Sequence, residues 1–226
     1  MQPEEVHLLR HGAASLGAQL DDVQIGQFER FASLLHEANR RLNLTRIPPE
    51  QTVPLHFLDS LAVCRAVDMR RIHSLADVGS GAGFPGLPLK IAFPHLEVAL
   101  IEATQKKARF LEEVVQDLGL SGVRVLAIRA ETLGGTISRA GAFDAAVARA
   151  VARLSQLLEW MLPLVRVGGL VIALKSRAAD EELAEVLPRL TRLRANLIGD
   201  VPLVLPGTDV HRRILVFEKV GSTRRS

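Results

Sequence analysis

From Ser74 onward, short apolar runs alternate with longer amphipathic stretches, and this alternation restricts the fold more than any other feature of the chain. The runs are Leu75–Val78, Val98–Ile101, Val123–Ile128, Ala145–Ala148 and Leu170–Leu174. Between them lie helical stretches at Leu87–Phe93, Lys106–Leu118, Leu154–Leu164 and Asp180–Leu193. Strand alternating with helix predicts a parallel sheet with right-handed crossovers. Val201–Leu205 and Arg213–Glu218 leave little room for a helix between them. They are expected to end the sheet as an antiparallel hairpin turning at Gly207-Thr208-Asp209. Upstream, Phe28, Phe31, Leu34, Leu35, Ala38 and Leu42 recur at helical spacing, and a second helix is expected from Val53 to Val67. The expected organisation is a helical extension over residues 1–72, its first twenty residues left open, and an α/β domain over 73–226. A length of 226 residues suits one domain with an extension.

Composition narrows the class. Hydrophobic residues at 48% and charged residues at 23% are ordinary for a globular chain and argue against disorder. A single cysteine, Cys64, excludes an intramolecular disulfide and a zinc cage of several thiolates. The seven histidines show no metal-ligand spacing, so no metal is expected. The start, Met1-Gln2-Pro3-Glu4-Glu5, is acidic where a signal peptide is basic and then apolar. The most apolar window, Leu157–Leu174, contains Glu159, Pro163, Arg166 and Gly168-Gly169, so it reads as helix, turn and strand rather than a membrane span. The expectation is a soluble cytoplasmic protein. Formal net charge is only +3, and all but Lys90, Lys106, Lys107, Lys175 and Lys219 of the 28 basic residues are arginine. Arginine suits phosphate contacts; from composition alone, codon usage or thermal adaptation is the better explanation of the bias. Aromatics at 4%, with no tyrosine, argue against a base-stacking platform.

The loop after the first strand, Asp77-Val78-Gly79-Ser80-Gly81-Ala82-Gly83-Phe84-Pro85-Gly86, opens a helix. Glycine permits positive φ and close approach of a ligand to the backbone. In a doubly wound sheet this loop floors the crevice beyond the strand ends. A phosphate-binding P-loop needs Gly-Lys-Ser/Thr at its end, and Gly86 is followed by Leu87-Pro88. The dinucleotide fingerprint needs a sixth-position glycine, where Phe84 stands. Glycines at 79, 81 and 83 behind Asp77 suit an adenosyl ligand without a pyrophosphate. Glu102, ending the second strand, is placed to accept both ribose hydroxyls. A side chain at Gly79 is expected to fill the ligand's path.

These residues resemble the class I S-adenosylmethionine-dependent methyltransferases, a Rossmann-like fold with a mostly parallel seven-stranded sheet. More narrowly, the chain resembles the bacterial small-subunit ribosomal RNA guanine-N7 methyltransferases, the family also called glucose-inhibited division protein B. The matching stretches are Asn43-Leu44-Thr45, His56-Phe57-Leu58-Asp59-Ser60, Asp77–Pro88, Lys106-Lys107, Arg129-Ala130-Glu131, Arg149-Ala150, Ala173-Leu174-Lys175 and Arg212–Val216. Ser80 stands where threonine is common, Glu102 where aspartate is common, and Arg213 where histidine usually follows Arg212. The resemblance implies methyl transfer to guanine N7 in the 530-loop region of small-subunit RNA, with the subunit or a precursor as substrate and no metal or covalent intermediate. It implies cofactor contacts at Asp77, Gly79, Ser80, Gly81, Gly83, Phe84, Glu102, Ala103 and Thr104, with Ala130 and Glu131 at the adenine. It implies that Arg149 contacts cofactor or target as a positioning candidate, and that Lys106, Lys107, Arg129, Lys175 and Arg212 grip RNA. A monomer is expected.

Other readings bear on single residues. Glu131 also suits a helix N-cap, and strand-end cations are often merely solvated. His56 and Asp59, three apart on a helix, suit either a place near the cofactor or a core-edge role. Asn43 and Thr45 suit a turn closing the first long helix. Cys64 lies among Ala62, Val63 and Ala66 and reads as a small core residue, not a nucleophile. Ala148-Arg149-Ala150-Val151 occupies the place where amino-group methyltransferases carry Asn/Asp-Pro-Pro-aromatic. Two rivals remain at the level of the whole chain. A small-molecule methyltransferase is disfavoured by the strand-end cations, and an inactive binding domain by Asp77, Gly79, Gly81 and Glu102.

Overall fold

The computed structural model describes residues 1–129, 143–176 and 179–221. Helix α1 (Pro3–Leu16) occupies most of the first twenty residues, and α2 (Asp22–Leu42) follows. At the start of α2, Gln24 N–H donates to Asp21 Oδ1 at 2.8 Å and Asp21 N–H donates to Gln24 Oε1 at 2.9 Å. That reciprocal pair satisfies backbone donors which a helix start leaves exposed. The end of α2 is Asn43, in the left-handed region at φ 50°. Asn39 then accepts from Thr45 N–H at 2.9 Å and donates to the Thr45 carbonyl at 3.0 Å, closing the turn expected there.

The helix expected over Val53–Val67 changes pitch along its length. Val53–Leu58 winds as a π-helix, Asp59–Leu61 (α3) as an α-turn and Ala62–Arg65 as a 3-10 turn. Pro54 contributes no backbone donor, and such wide turns recur at functional positions.

The strands are β1 (Ser74–Val78), β2 (Glu97–Ile101), β3 (Val123–Leu126), β4 (Phe143–Arg149), β5 (Val165–Ser176), β6 (Ala195–Val204) and β7 (His211–Lys219). They form one seven-stranded sheet in the order β3-β2-β1-β4-β5-β7-β6. β1 to β5 pair in parallel, and β7 runs antiparallel to both β5 and β6. The helices between are α4 (Gly86–Ala92), α5 (Gln105–Asp117), α6 (Leu154–Met161), α7 (Asp180–Val186) and α8 (Leu190–Leu193). The chain moves outward from β1 to β3 and returns to lay β4 beside β1. The crevice between the C-terminal ends of β1 and β4 is therefore the switch point where such sheets bind ligands.

Phe28, Phe31 and Phe57 pack with Leu75, Leu87, Leu111, Val147 and Ile172 on one face of the sheet, so the N-terminal helices and the sheet share a core. Leu154, Leu158 and Met161 cover the other face against Ala76, Ala146 and Val171. Gln24 also reaches across, its Nε2 donating to the Ile91 and Ala92 carbonyls at 2.8 and 3.1 Å. These carbonyls belong to the C-terminal turn of α4, which has no partners of its own for them.

Three boundaries differ from the sequence expectation. Gly168-Gly169 is not a turn before a strand but an irregularity inside β5: Val165 pairs with Phe143 and Leu170 with Ala145, and Gly168 takes φ 75° to absorb the slip. The helix expected over Asp180–Leu193 is divided by a 3-10 turn at Leu187–Arg189, because Pro188 cannot continue the hydrogen-bond ladder. β6 begins at Ala195, earlier than the apolar run at Val201, because its outer face is exposed and carries polar residues.

Candidate functional site

The glycine loop is shaped by its own backbone. Gly79 N–H and Ser80 N–H both donate to the Ile101 carbonyl, at 2.9 and 3.0 Å, tying the loop to the end of β2. Gly79, Gly81 and Gly83 hold φ of 73°, 59° and 97°, a region that disfavours any residue with a Cβ. Gly81 N–H donates to Glu102 Oε2 at 2.9 Å, and Thr104 N–H donates to Oε1 at 2.8 Å. The Glu102 carboxylate is thus held by two backbone donors at the mouth of the crevice.

A cavity of about 470 Å³ opens there. Of the expected cofactor contacts, Gly79, Ser80, Gly81, Phe84, Glu102, Ala103 and Arg149 line it, with Lys107 and Arg129 from the expected RNA contacts. Leu44, His56, Ala82, Ile101, Ile128, Ala150, Val151 and Trp160 line it as well. Of these, His56 was marked by its spacing from Asp59, and Leu44, Ala82 and Ala150 lie in the stretches that carry the resemblance, whereas Trp160 carried no signal in the sequence. Asp77, Gly83 and Thr104 do not line the wall, and Lys106 is exposed outside it. Ala130 and Glu131 lie outside the described residues.

Asp77 acts from beneath. Its side chain is fully buried, and Oδ2 accepts from Gly86 N–H at 3.0 Å, tying β1 to the start of α4. Oδ1 has no hydrogen-bond partner among the described residues. Burial pushes its carboxyl up to about 7, against the opposing Gly86 N–H bond. A Cβ at Gly79 meets Val151 Cγ2 at 2.6 Å, so glycine there also admits the chain after β4, and both residues line the cavity. At Gly81 the nearest atom to such a Cβ is the Gly79 carbonyl oxygen at 3.9 Å, and that position faces open space.

Arg149, the last residue of β4, joins the N-terminal helices to the sheet. Nη1 donates to the Leu55 carbonyl at 3.1 Å and to Asp59 Oδ2 at 3.0 Å, and Nη2 donates to His56 Nδ1 at 2.9 Å. Because Nδ1 accepts, the neutral ring carries its proton on Nε2, which lies 2.9 Å from Thr45 Oγ1. Burial, with the Arg149 charge added, lowers His56 to about 3, so the ring stays neutral. It stacks on Phe84 with centroids 4.1 Å apart and planes 5° apart, and the Arg149 guanidinium carbon sits 5.0 Å from the same Phe84 ring.

Asp59 also accepts from Arg212, at 2.8 Å from Nε and 3.3 Å from Nη2. Arg212 is therefore not a free phosphate grip but one of two guanidiniums around a buried carboxylate. Lys175 is held likewise, donating to the Ala152 carbonyl at 2.8 Å and to Glu182 Oε2 at 2.7 Å. Arg213 is paired with Asp200 and Asp180. Asp59, Lys175, Glu182 and Arg212 line a second cavity of about 610 Å³, which shares Arg149, Ala150 and Val151 with the first. Cys64 is half-buried, and burial pushes its thiol up to about 12, which removes it as a nucleophile.

The first cavity fits an adenosyl cofactor. Its volume is in the range of small-ligand sites, its loop needs glycine, and its Glu102 carboxylate is fixed at the mouth by two backbone donors. Comparison with known proteins agrees. Residues 24–196 match the family described as GidB, rRNA small subunit methyltransferase G. Ribosomal RNA small subunit methyltransferase G of Dehalococcoides mccartyi (strain CBDB1) is 41% identical over 216 residues, 95% of this chain and 92% of that protein. The protein of the same name from Leuconostoc citreum (strain KM20) is 45% identical over 210 residues, 92% of this chain and 87% of that one. Among solved structures, cofactor-bound Rv0187 from MTB is similar with a TM-score of 0.63 at 16% identity, over 89% of this chain and 92% of that one. M. jannaschii TYW2 in complex with AdoMet gives a TM-score of 0.52 at 14% identity, over 65% and 69%. These two likenesses concern the fold, the class I methyltransferase sheet with its antiparallel C-terminal hairpin.

Proposed function

The chain belongs to the GidB family of small-subunit ribosomal RNA methyltransferases, and from that membership we propose that it methylates guanine N7 in the 530-loop region of small-subunit RNA, using S-adenosylmethionine. The observation that carries the reading is the pair of cavities divided by Arg149, Ala150 and Val151. One suits the cofactor and the other the target base. When bound, the cofactor supplies an electrophilic methyl group on a sulfonium.

The chain's part is positional. Gly81 and Glu102 receive the adenosyl ribose, Phe84 and Ala103 flank it, and Asp77 holds the loop from below. Ala130 and Glu131 take the adenine by family resemblance. Guanine N7 carries an in-plane lone pair and has no proton to lose, so proximity and orientation suffice. His56 supports this reading: both ring nitrogens are engaged and the ring is neutral, so it holds Arg149 in place and removes no proton. Among the described residues, two N–H donors of the Arg149 guanidinium remain for cofactor or base once its three bonds are counted.

Lys106, Lys107 and Arg129 serve the RNA backbone at the rim, and Lys175 and Arg212 serve the base cavity. Residues 1–72 contribute the His56–Asp59 turn, and 73–226 the cofactor crevice. The proposed functional unit is a monomer. Among the described residues no helix is long and apolar enough to cross a membrane, and a ribosomal substrate puts the enzyme in the cytoplasm. The test is transfer of labelled methyl groups to small subunits lacking this modification, with large subunits and free nucleosides as competitors. Label confined to small-subunit RNA is expected; label in a small molecule, with none in subunits or naked RNA, overturns the reading.

A further inference from the structure

The target cavity holds a charge pair whose bonding is half used. Lys175 Nζ spends two of its three N–H donors on Ala152 and Glu182, and Glu182 Oε2 accepts both Lys175 and the Leu154 N–H. Among the described residues, one Lys175 N–H and Glu182 Oε1 have no further hydrogen-bond partner, and the Arg153 charge, on the same cavity wall, also favours the Glu182 carboxylate. Both side chains line the cavity; that of Lys175 is 10% exposed and that of Glu182 26%. Burial works against the Glu182 charge, but the Lys175 and Leu154 bonds outweigh it and hold the carboxyl below its usual range. The pair therefore offers a charged donor beside a charged acceptor.

One purine edge complements that order. Guanine sets the acceptor O6 beside the donor N1–H, whereas adenine sets the donor N6–H beside the acceptor N1. Adenine brings donor against ammonium and lone pair against carboxylate. We propose that Lys175 and Glu182 select the target base, Lys175 donating to O6 and Glu182 Oε1 accepting from N1–H. O6 and N7 lie side by side on the Hoogsteen edge of guanine. Ala152, which accepts from Lys175, continues the wall that Arg149, Ala150 and Val151 form between the cavities, so a base held by this edge stands beside the cofactor. Selection by this edge rests on the guanine-N7 reading and specifies how the base is chosen at that site.

The test uses small subunits reassembled around RNA with one nucleotide changed at the target: guanosine, inosine, adenosine or 7-deazaguanosine. Inosine keeps O6 and N1–H, adenosine reverses both, and only 7-deazaguanosine lacks N7. The expected result is transfer to inosine within about tenfold of guanosine and to adenosine at least about a hundredfold more slowly. Glu182→Gln is expected to lower kcat on guanosine by about tenfold or more and to narrow the guanosine-to-adenosine gap, since a carboxamide offers either polarity. Its KM for subunits stays within about twofold and its calorimetric cofactor affinity is unchanged, while Glu182→Asp keeps the base preference. Comparable transfer to adenosine by the natural chain, or unchanged kcat and preference in Glu182→Gln, overturns the proposal. The natural chain's series needs no variant to fold. Transfer to 7-deazaguanosine overturns the N7 reading instead, a failure separate from that of the edge pair, which the inosine and adenosine rates decide.

Discussion

Asp77 and His56 are buried groups displaced in opposite directions by the same cause. Burial raises Asp77 from 3.8 to about 7 and, with the Arg149 charge, lowers His56 from 6.5 to about 3. A raised carboxyl favours the folded state while protonated, so the Asp77 contribution is full below about 4 and is lost as pH rises through about 7. A lowered imidazole favours it while neutral, so the His56 contribution is full above about 6.5 and is lost as pH falls toward about 3. Acidification from pH 7 to 4 is therefore expected to cost Asp77→Asn more stability than the natural chain, and His56→Gln less. Denaturant midpoints at the two pH values read this, and equal slopes in all three proteins contradict it. Arg149→Ala is expected to lower kcat by about a hundredfold while RNA affinity changes little, because it removes a positioning group on the wall between cavities. Full turnover in that variant removes Arg149 from the site. Arg149 was legible in the sequence as a strand-end cation. Its hold on Asp59 was not, because that contact spans 90 residues and no local pattern marks it.

Among the elements, the same substitution has opposite signs in two helices. Gly26 is exposed within α2, with nothing within 4 Å of an added Cβ. Gly26→Ala is expected to stabilise by about 0.5–1 kcal/mol, since glycine is a poor helix former. Gly86, at the start of α4, has no such room: a Cβ meets Asp77 Oδ2 and Leu100 Cδ2 at 2.6 Å each. Gly86→Ala is expected to destabilise by about 1–3 kcal/mol through overpacking. Unfolding midpoints of the two variants check both signs, and a shift in the same direction contradicts the packing described. Most strands were readable because their apolar runs are short and bounded by turn residues. β6 extended beyond its apolar run because an edge strand keeps one face wet. The pitch changes at Val53–Arg65 were unreadable because apolar spacing alone does not distinguish α from π winding.

Over the full chain, the cations read from the sequence divide into two groups. Lys106 and Lys107 lie at the rim, whereas Lys175 and Arg212 carry carboxylate partners in the second cavity. Replacing Lys106 or Lys107 is expected to flatten the log–log dependence of RNA affinity on salt by roughly 0.7 for each phosphate that the side chain neutralises. Replacing Lys175 or Arg212 is expected to change that slope less, because RNA competes there with Glu182 and Asp59. Equal flattening in both groups contradicts the division. The place of these cations at or near strand ends was legible from the alternation of strands and helices, but their carboxylate partners come from distant segments and appear only in the folded chain. In the proposed function, cofactor crevice, base cavity and rim cations together serve methyl transfer to one nitrogen of one base. Small subunits lacking the modification are incubated with labelled S-adenosylmethionine, their RNA is digested, and the nucleosides are resolved by mass. Label is expected in N7-methylguanosine at a single position; label in any other nucleoside, or cofactor binding with no label in RNA, contradicts that assignment.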